Sequence, residues 1–558
     1  MSSRDYAWLR AYRHPAAWDS VFPPLTLPEM FRQSVDRMGN APLLDFMGRR
    51  YSYAEMGAAA RRAACGLKRL GVRPGDRVGL FLPNVPHYVA AYYGALMAGA
   101  VIVNFSPLYT VEELAAQVAD SGTTTLVTLS ASALLPVAVK VMDKGGIERL
   151  VCGSIAEALG PAKSLLYRLF KRAEVAAVPE DSRISTYAAL VSRDEPCDTP
   201  AVVPDDVAVL QYTGGTTGTP KGAMLTHQNL TANARQVDAI DPRTGEADRI
   251  VGVLPFFHVF ANTCVLNRTV LRGGMIAMLP RFDARACLRT LARVKATALP
   301  GVPTMYQALL DNPETAKTDF SSLRVCISGG APLPAELKAR FEAVTGSKVV
   351  EGYGLTESSG VISCNPYEAL NKAGTIGQPI PGTEVCLLDR EDPTRPAHAG
   401  EPGEIAFRGP QMMKGYWGRP EADAEVFVNG WLRTGDVGAL DEEGYIRIVD
   451  RLKDMIAVGG FKVFPSVVEA HLYRNPDVKE ALVIGIPDRL SGERPKAFVT
   501  LNDGATSDGE ALMTWLNGHL GKHERVVAVE VRESLPKTLV GKLSRKELVA
   551  EERAKASA

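Results

Sequence analysis

Short apolar runs alternate with stretches of helical spacing through the first half of the chain. Segments 27–37 and 54–70 repeat apolar residues every three or four positions, the pattern of a helix that buries one face. After the turn Arg73-Pro-Gly75, segment 76–83 reads as a strand; 112–120 then reads as a helix and 124–129 as a strand. Three more apolar runs, 249–254, 298–302 and 323–328, repeat the strand signal farther along. Short apolar strands separated by helices need a parallel sheet covered on both faces. The most apolar window, 88–105, is uncharged but carries Tyr92, Tyr93 and Asn104. A membrane span needs ~20 strongly apolar residues, so this window is predicted to be a core helix running into a buried strand at 100–103.

Beyond residue 384 the texture changes to short β segments with Gly/Pro turns, ending in 445–451. A compact α+β pattern follows, with helices at 467–473 and 510–520 and strands at 480–486, 496–501 and 528–531. The expected division is a domain of residues 1–450 and a smaller one of residues 451–558, with the boundary at 450–453. The fold class is therefore α/β: a large N-terminal domain of mixed and parallel sheets flanked by helices, a small β subdomain, and a small α+β C-terminal domain. Within the less legible stretch 140–200, segment 163–172 is a basic amphipathic helix. It is read as a solvated surface helix, with a membrane-surface contact as the alternative.

At 558 residues the chain is too long for one core. Lys+Arg and Asp+Glu both number 63, so no global field points to nucleic acid. The eight cysteines, at 65, 152, 197, 264, 287, 326, 364 and 386, form no CxxC pair. They are read as reduced cytosolic thiols, with neither a zinc site nor a disulfide framework. The N-terminus lacks an apolar signal region. The expected location is cytoplasmic, with peripheral contact at the inner membrane as the variant.

Chemistry concentrates in a few segments. Tyr212-Thr-Gly-Gly-Thr-Thr-Gly-Thr-Pro-Lys-Gly222 places four glycines, four threonines and one lysine after the apolar run Val207-Ala-Val-Leu210. Such a loop can turn N–H groups, hydroxyls and a cation toward phosphate oxygens. It is not a Walker A loop, because proline precedes the lysine and glycine follows it. Ser328-Gly-Gly-Ala-Pro-Leu333 lets a flat ring approach backbone, and Glu351-Gly-Tyr-Gly-Leu-Thr-Glu357 adds an aromatic ring, a hydroxyl and a carboxylate. Trp431-Leu-Arg-Thr-Gly-Asp436 supplies a carboxylate suited to a ribose diol. Val449-Asp-Arg-Leu-Lys-Asp454, Val458-Gly-Gly-Phe-Lys-Val-Phe-Pro465 and Pro536-Lys-Thr-Leu-Val-Gly-Lys542 complete the series. Each alone is an ordinary turn. Their order is not.

Together these motifs resemble the adenylate-forming superfamily of acyl-CoA synthetases, luciferases and peptide-synthetase adenylation domains. The fatty-acid branch is suggested by Asp319-Phe-Ser-Ser-Leu323 and Gly415-Tyr-Trp-Gly-Arg-Pro420, together with the two glycine-rich motifs. The resemblance, strongest to bacterial long-chain fatty-acid–CoA ligases, spans about 25–550. It implies two steps: a carboxylate attacks the α-phosphate of ATP, and CoA then displaces AMP from the acyl-adenylate. By the same resemblance Thr213, Gly214, Gly215, Thr216, Thr217, Gly218, Thr219 and Lys221 hold the β- and γ-phosphates, and Thr213 with Glu357 positions Mg²⁺. Tyr353 and Gly354 face adenine with Gly330 and Ala331, and Thr356 touches the α-phosphate. Asp436 with Arg451 takes the ribose, and Lys542 bridges the acid and the α-phosphate. His258 stands beside the acid. The small domain is expected to be mobile, hinged at Lys453, and to present Gly459 and Gly460 to CoA.

The acyl pocket is expected along 259–263 and 299–303, where small and apolar residues suit an alkyl tail at ~0.8 kcal/mol per buried CH₂. The function implied is a medium- or long-chain fatty-acid–CoA ligase; dicarboxylic or aromatic acids are the alternative substrates. Near His258 no carboxylate waits for an amino-acid ammonium group. A regulatory relative without chemistry is disfavoured by the presence of Lys221, Glu357, Asp436 and Lys542, and an enzyme that stops at the adenylate by the lack of a large insertion between the domains. Oligomeric state, a homodimer included, is left open.

Overall fold

The computed structural model describes residues 6–193, 197–198, 200–213, 220–243, 245–459, 461–538 and 541–557. Among them the strands form sheets of eight, nine, five and five strands. The eight-stranded sheet has a parallel body, in which Arg77–Leu80 lies between Val101–Asn104 and Thr125–Leu129. The nine-stranded sheet likewise has a parallel body, with Val325–Gly329 between Ala298–Gly301 and Lys348–Tyr353. Antiparallel strands appear at their margins, as in the pair Val207–Tyr212 and Gly222–Thr226.

The helices follow the sequence pattern closely. Leu27–Met38 and Tyr53–Arg69 occupy the first two expected segments, and Ser52 with Glu55 forms a reciprocal cap at the start of the second. Pro86–Met97 is buried almost along its whole length and leads into the fully buried strand Val101–Asn104, as the uncharged window predicts. No helix among the described residues is long and apolar enough to cross a membrane. The third sheet contains Trp431–Leu440, paired antiparallel with Ile446–Arg451. The fourth, built from strands between Ile456 and Val531, packs its own apolar core around Val468, Val483 and Leu516.

The cysteine reading needs correction. Cys65 is bonded to Cys197 across 132 residues, with Cα atoms 5.6 Å apart. Neither residue belongs to a recognisable spacing motif, so only the approach of the two segments could reveal the pair. Cys152, Cys264, Cys287, Cys326 and Cys364 are free and buried, as expected.

A buried ionic cluster ties one helix to the nine-stranded sheet. Arg268 donates to Asp248 Oδ2 and Asp241 Oδ2, each at 2.8 Å, while Arg324 reaches the same two carboxylates at 3.2 and 3.1 Å. Removing one member would leave uncompensated charge in a water-poor setting. Arg268→Ala is therefore expected to lower the unfolding free energy by ~3–5 kcal/mol, measured as a fall in the urea midpoint at unchanged slope. A loss below ~1 kcal/mol would mean that water compensates the two aspartates.

Candidate active site

Parallel strands in open α/β sheets open their ligand crevice at their carboxyl ends. Here Val325–Gly329 and Lys348–Tyr353 both end at a cleft of about 2300 Å³ between the large and small domains. Gly330, Ala331, Tyr353 and Gly354, expected beside adenine, and Thr356 all line it. Gly354 allows no side chain, because a Cβ there would lie 1.9 Å from the Gly360 carbonyl oxygen. At Gly330, φ is +81° and an added Cβ would meet Lys542 Cε at 2.4 Å.

The antiparallel register sets Asp436 directly opposite Arg451. Arg451 Nε lies 3.0 Å from Asp436 Oδ1, and Tyr353 donates its hydroxyl to Oδ2 at 2.6 Å. Each carboxylate oxygen keeps a further lone pair for incoming hydroxyl donors. Burial, then the Asp436 charge, pushes the Tyr353 phenol far above its usual pKa; the same carboxylate raises that of Arg451. Tyr353 stays neutral and Arg451 stays charged.

Lys542 enters from the small domain on a tight turn. Its N–H donates to Thr538 Oγ1 at 3.1 Å, and Thr304 of the large domain donates to the Gly541 carbonyl at 3.0 Å. Burial, followed by repulsion from Arg451, lowers the Lys542 pKa to about 8 against the partial opposition of Asp436. His258 faces the same cation: burial and then Lys542 lower its pKa to about 3, so the ring is neutral. His258 Nδ1 accepts from the Phe260 N–H at 3.3 Å, which leaves Nε2 as the protonated, donating nitrogen.

On the phosphate side, the Thr213 N–H donates to the Lys221 carbonyl at 2.9 Å and closes the base of the threonine-rich loop. Gly214, Gly215, Thr216, Thr217, Gly218 and Thr219, as well as Gly460, lie outside the described residues. Lys221 Nζ stands 5.2 Å from the centre of the Tyr416 ring, whose hydroxyl donates to Glu357 Oε1 at 2.7 Å. Lys453 also feels Glu357 and Asp436, although burial and Arg451 dominate and lower its pKa. Gly459 is different: its N–H is bonded to Ser491 within the small-domain sheet, and it does not line the cleft.

The donors available suit a hard cation. Glu357 keeps Oε2 without a hydrogen-bond partner among the described residues, and Thr213 also lines the cleft. Mg²⁺ commonly takes only one or two protein oxygens and fills its remaining positions with phosphate and water.

Sequence reasoning assigned no role to Tyr416 or Thr304. Tyr416 sits inside a quoted motif, but its contact with Glu357 spans 59 residues. Thr304 gives no signal beyond its place after Val302-Pro303. Glu351 was quoted without a role; burial raises its pKa to about 7, with the Leu333 N–H and Lys338 opposing.

The acyl side also departs in part from expectation. Val259, Phe260, Val302 and Pro303 line the cleft, whereas Leu299 packs into a separate core cluster. Asn262 and Thr263 are buried in helical turns; Asn262 accepts from the Tyr92 hydroxyl at 3.1 Å, and Thr263 donates to the Ser359 carbonyl at 2.5 Å. The lining instead continues through Cys264, Val361, Cys364, Tyr367 and Ile240.

Comparison with known proteins agrees with this geometry. Residues 31–417 match the AMP-binding enzyme family, and residues 467–542 match the AMP-binding enzyme C-terminal domain. The chain belongs to the AMP-binding enzyme family. It is 40% identical over 551 residues to a long-chain-fatty-acid–CoA ligase of Bacillus subtilis, covering 98% of each chain. It is 38% identical over 502 residues to a feruloyl-CoA synthase of an Amycolatopsis species, covering 90% of this chain and 94% of that one. The solved anthranilate CoA ligase AuaEII in complex with anthranoyl-AMP superposes with a TM-score of 0.85 at 26% identity, covering 97% and 100% of the two chains. The protein is an AMP-forming acid–CoA ligase of the adenylate-forming superfamily, with ATP, CoA and a carboxylic acid as substrates.

The Lys542 environment has a kinetic consequence. The ammonium is the form that can neutralise phosphate charge, and it is lost as pH rises through about 8 rather than 10.5. The kcat/KM of the free ligase for acyl-adenylate formation, followed by pyrophosphate release, is expected to decline through that alkaline window. Lys542→Arg should move the decline to higher pH, even if it lowers the maximum rate. An unchanged alkaline limb in that variant would assign the titration to another group.

Proposed function

We propose that the ligase activates medium- and long-chain fatty acids. The observation that carries this reading is the apolar extension of the cleft past His258, through Val259, Phe260, Cys264 and Val361 to Ile240 and Tyr367. Behind Ile240 and Tyr367 a second cavity of about 240 Å³ reaches Pro15 and Pro242. Those two side chains belong to both cavities, so the space for an alkyl tail ends at a wall rather than in solid core. Arg268 also lines the cleft, but its guanidinium is bonded to Asp241 and Asp248. Its charge is already offset by these two carboxylates, which weighs against dicarboxylic acids.

The reaction begins when a carboxylate oxygen of the acid attacks the α-phosphorus of ATP. An O–P bond forms, the bond to the β-phosphate bridging oxygen breaks, and pyrophosphate leaves. Lys542 Nζ neutralises charge between the two approaching anions, the type of help that in-line transfer needs most. Neutral His258 offers Nε2–H to the carboxylate. Tyr353 forms the adenine wall, Asp436 and Arg451 hold the ribose, and Thr356 takes an α-phosphate oxygen. Thr213, Lys221 and the loop between them hold the terminal phosphates. Mg²⁺, held by Glu357 and Thr213, would offset the charge of those phosphates. CoA sulfur then attacks the acyl carbon and AMP leaves with the electron pair of the broken C–O bond.

The boundary between residues 450 and 451 then serves as the division between the domains, and Lys453 as the hinge. Rotation there withdraws Lys542 and swings the Gly459–Gly460 segment toward the CoA path. That Gly459 lies away from the cleft while Lys542 lies in it fits the adenylation pose.

An aromatic acid is the second reading, favoured by the likeness to the feruloyl-CoA synthase and to the anthranilate CoA ligase. CoA-dependent AMP release from hexanoate to octadecanoate, beside ferulate and benzoate, separates the two. The expected result is kcat/KM rising with chain length by at least about tenfold, the ~1.4 kcal/mol that two well-buried methylenes provide. Higher kcat/KM for ferulate would reverse the assignment.

Lys542→Ala should reduce adenylate formation by ~10²-fold or more while conversion of supplied acyl-AMP with CoA stays near the wild-type rate. Equal loss in both half-reactions would remove the two-pose account.

A further inference from the structure

The helix Pro161–Phe170 has its amphipathicity turned outward. Its half-buried residues are Ser164 and Tyr167, one turn apart, and no residue of the helix is fully buried. Leu165, Leu166, Leu169 and Phe170 project from the opposite side, with exposures of 60%, 52%, 50% and 78%. An ordinary surface helix buries its apolar stripe and shows its polar one. This helix does the reverse.

Cations frame the apolar face. At 3.6 residues per turn, Lys163 lies on the Phe170 flank, while Arg168 and Arg172 lie on the Leu165 flank. Lys163 donates to the Met47 carbonyl at 2.6 Å, which anchors the helix to the neighbouring hairpin without neutralising the charge. Lys171 is paired with Glu174, while Arg172 Nε donates to the Arg168 carbonyl. Segment 161–174 thus holds four cations and one carboxylate in a chain whose formal charge is zero. Met47, at the hairpin tip beside Lys163, is exposed as well.

We infer that Pro161–Phe170 is an interfacial membrane-docking helix that lays Leu165, Leu166, Leu169 and Phe170 into an anionic lipid surface. Apolar contact alone would suit many partners. The cationic frame selects a surface of negative headgroups over an apolar core, the arrangement expected of a helix lying in the plane of a bilayer interface. This inference concerns where the enzyme sits and holds whichever acid it activates.

Co-sedimentation of the full chain with phosphatidylethanolamine–phosphatidylglycerol vesicles tests it, with pure phosphatidylcholine vesicles in parallel. Binding should favour the anionic vesicles and weaken as salt is raised. The Leu166→Glu/Phe170→Glu double variant should bind at least about tenfold more weakly, with an unchanged thermal midpoint because both positions are exposed. The indole fluorescence of a Phe170→Trp variant should be quenched by lipids brominated in their acyl chains. Equal binding by the double variant, no preference for anionic vesicles, or no quenching of the introduced indole would each overturn the inference. So would a lipid-free dimer that the double variant converts to monomer, because the face would then be an interface between copies of this chain.

Discussion

The Asp436 carboxylate joins the sheet of the β subdomain to the nine-stranded sheet. It belongs to the β subdomain, accepts the hydroxyl of Tyr353 from the nine-stranded sheet, and pairs with Arg451 at the last strand before the small domain. The carboxylate is buried, and the Arg451 guanidinium lies directly across the strand pair from it. Without that pairing, Tyr353 and the approach to the small domain would lose their common reference point. Asp436 also opposes deprotonation of Lys542, which burial and Arg451 favour.

The cleft is electrostatically unbalanced in a way that anticipates its substrate. Burial and then Arg451 push down the pKa of both Lys542 and Lys453, and burial and then Lys542 push down that of His258. Like charges gathered in a partly desolvated space oppose each other until an anion arrives. A triphosphate and a carboxylate supply that anion. Binding and charge relief are therefore one event here, and the site uses the protein's folding energy to hold cations together beforehand.

Much of this site was legible as residue order. Glycine, hydroxyl and charge placement singled out Thr213, Lys221, Tyr353, Thr356, Glu357, Asp436 and Lys542, and all of these line one cleft. Partners separated by long stretches were not legible. The Tyr416 contact with Glu357, the grip of Thr304 on the Gly541 carbonyl and the Cys65–Cys197 bond each depend on two distant segments meeting. The apolar lining of the cleft was only half legible for the same reason. Val259 and Val302 follow from local sequence, while Ile240 and Tyr367 come from other elements, and Leu299 points into a different core.

By itself, the sequence determined the alternation of strands and helices and the class of chemistry. Those features rest on periodicity and on short-range backbone geometry, which a few consecutive residues decide. The tertiary structure alone decided which face of the 163–172 segment points outward, which cysteines pair, where the apolar end of the cleft lies, and how close Lys542 comes to Gly330. Each of these depends on the packing of elements far apart in the chain, and the same apolar residue serves as core or as surface according to what lies opposite it.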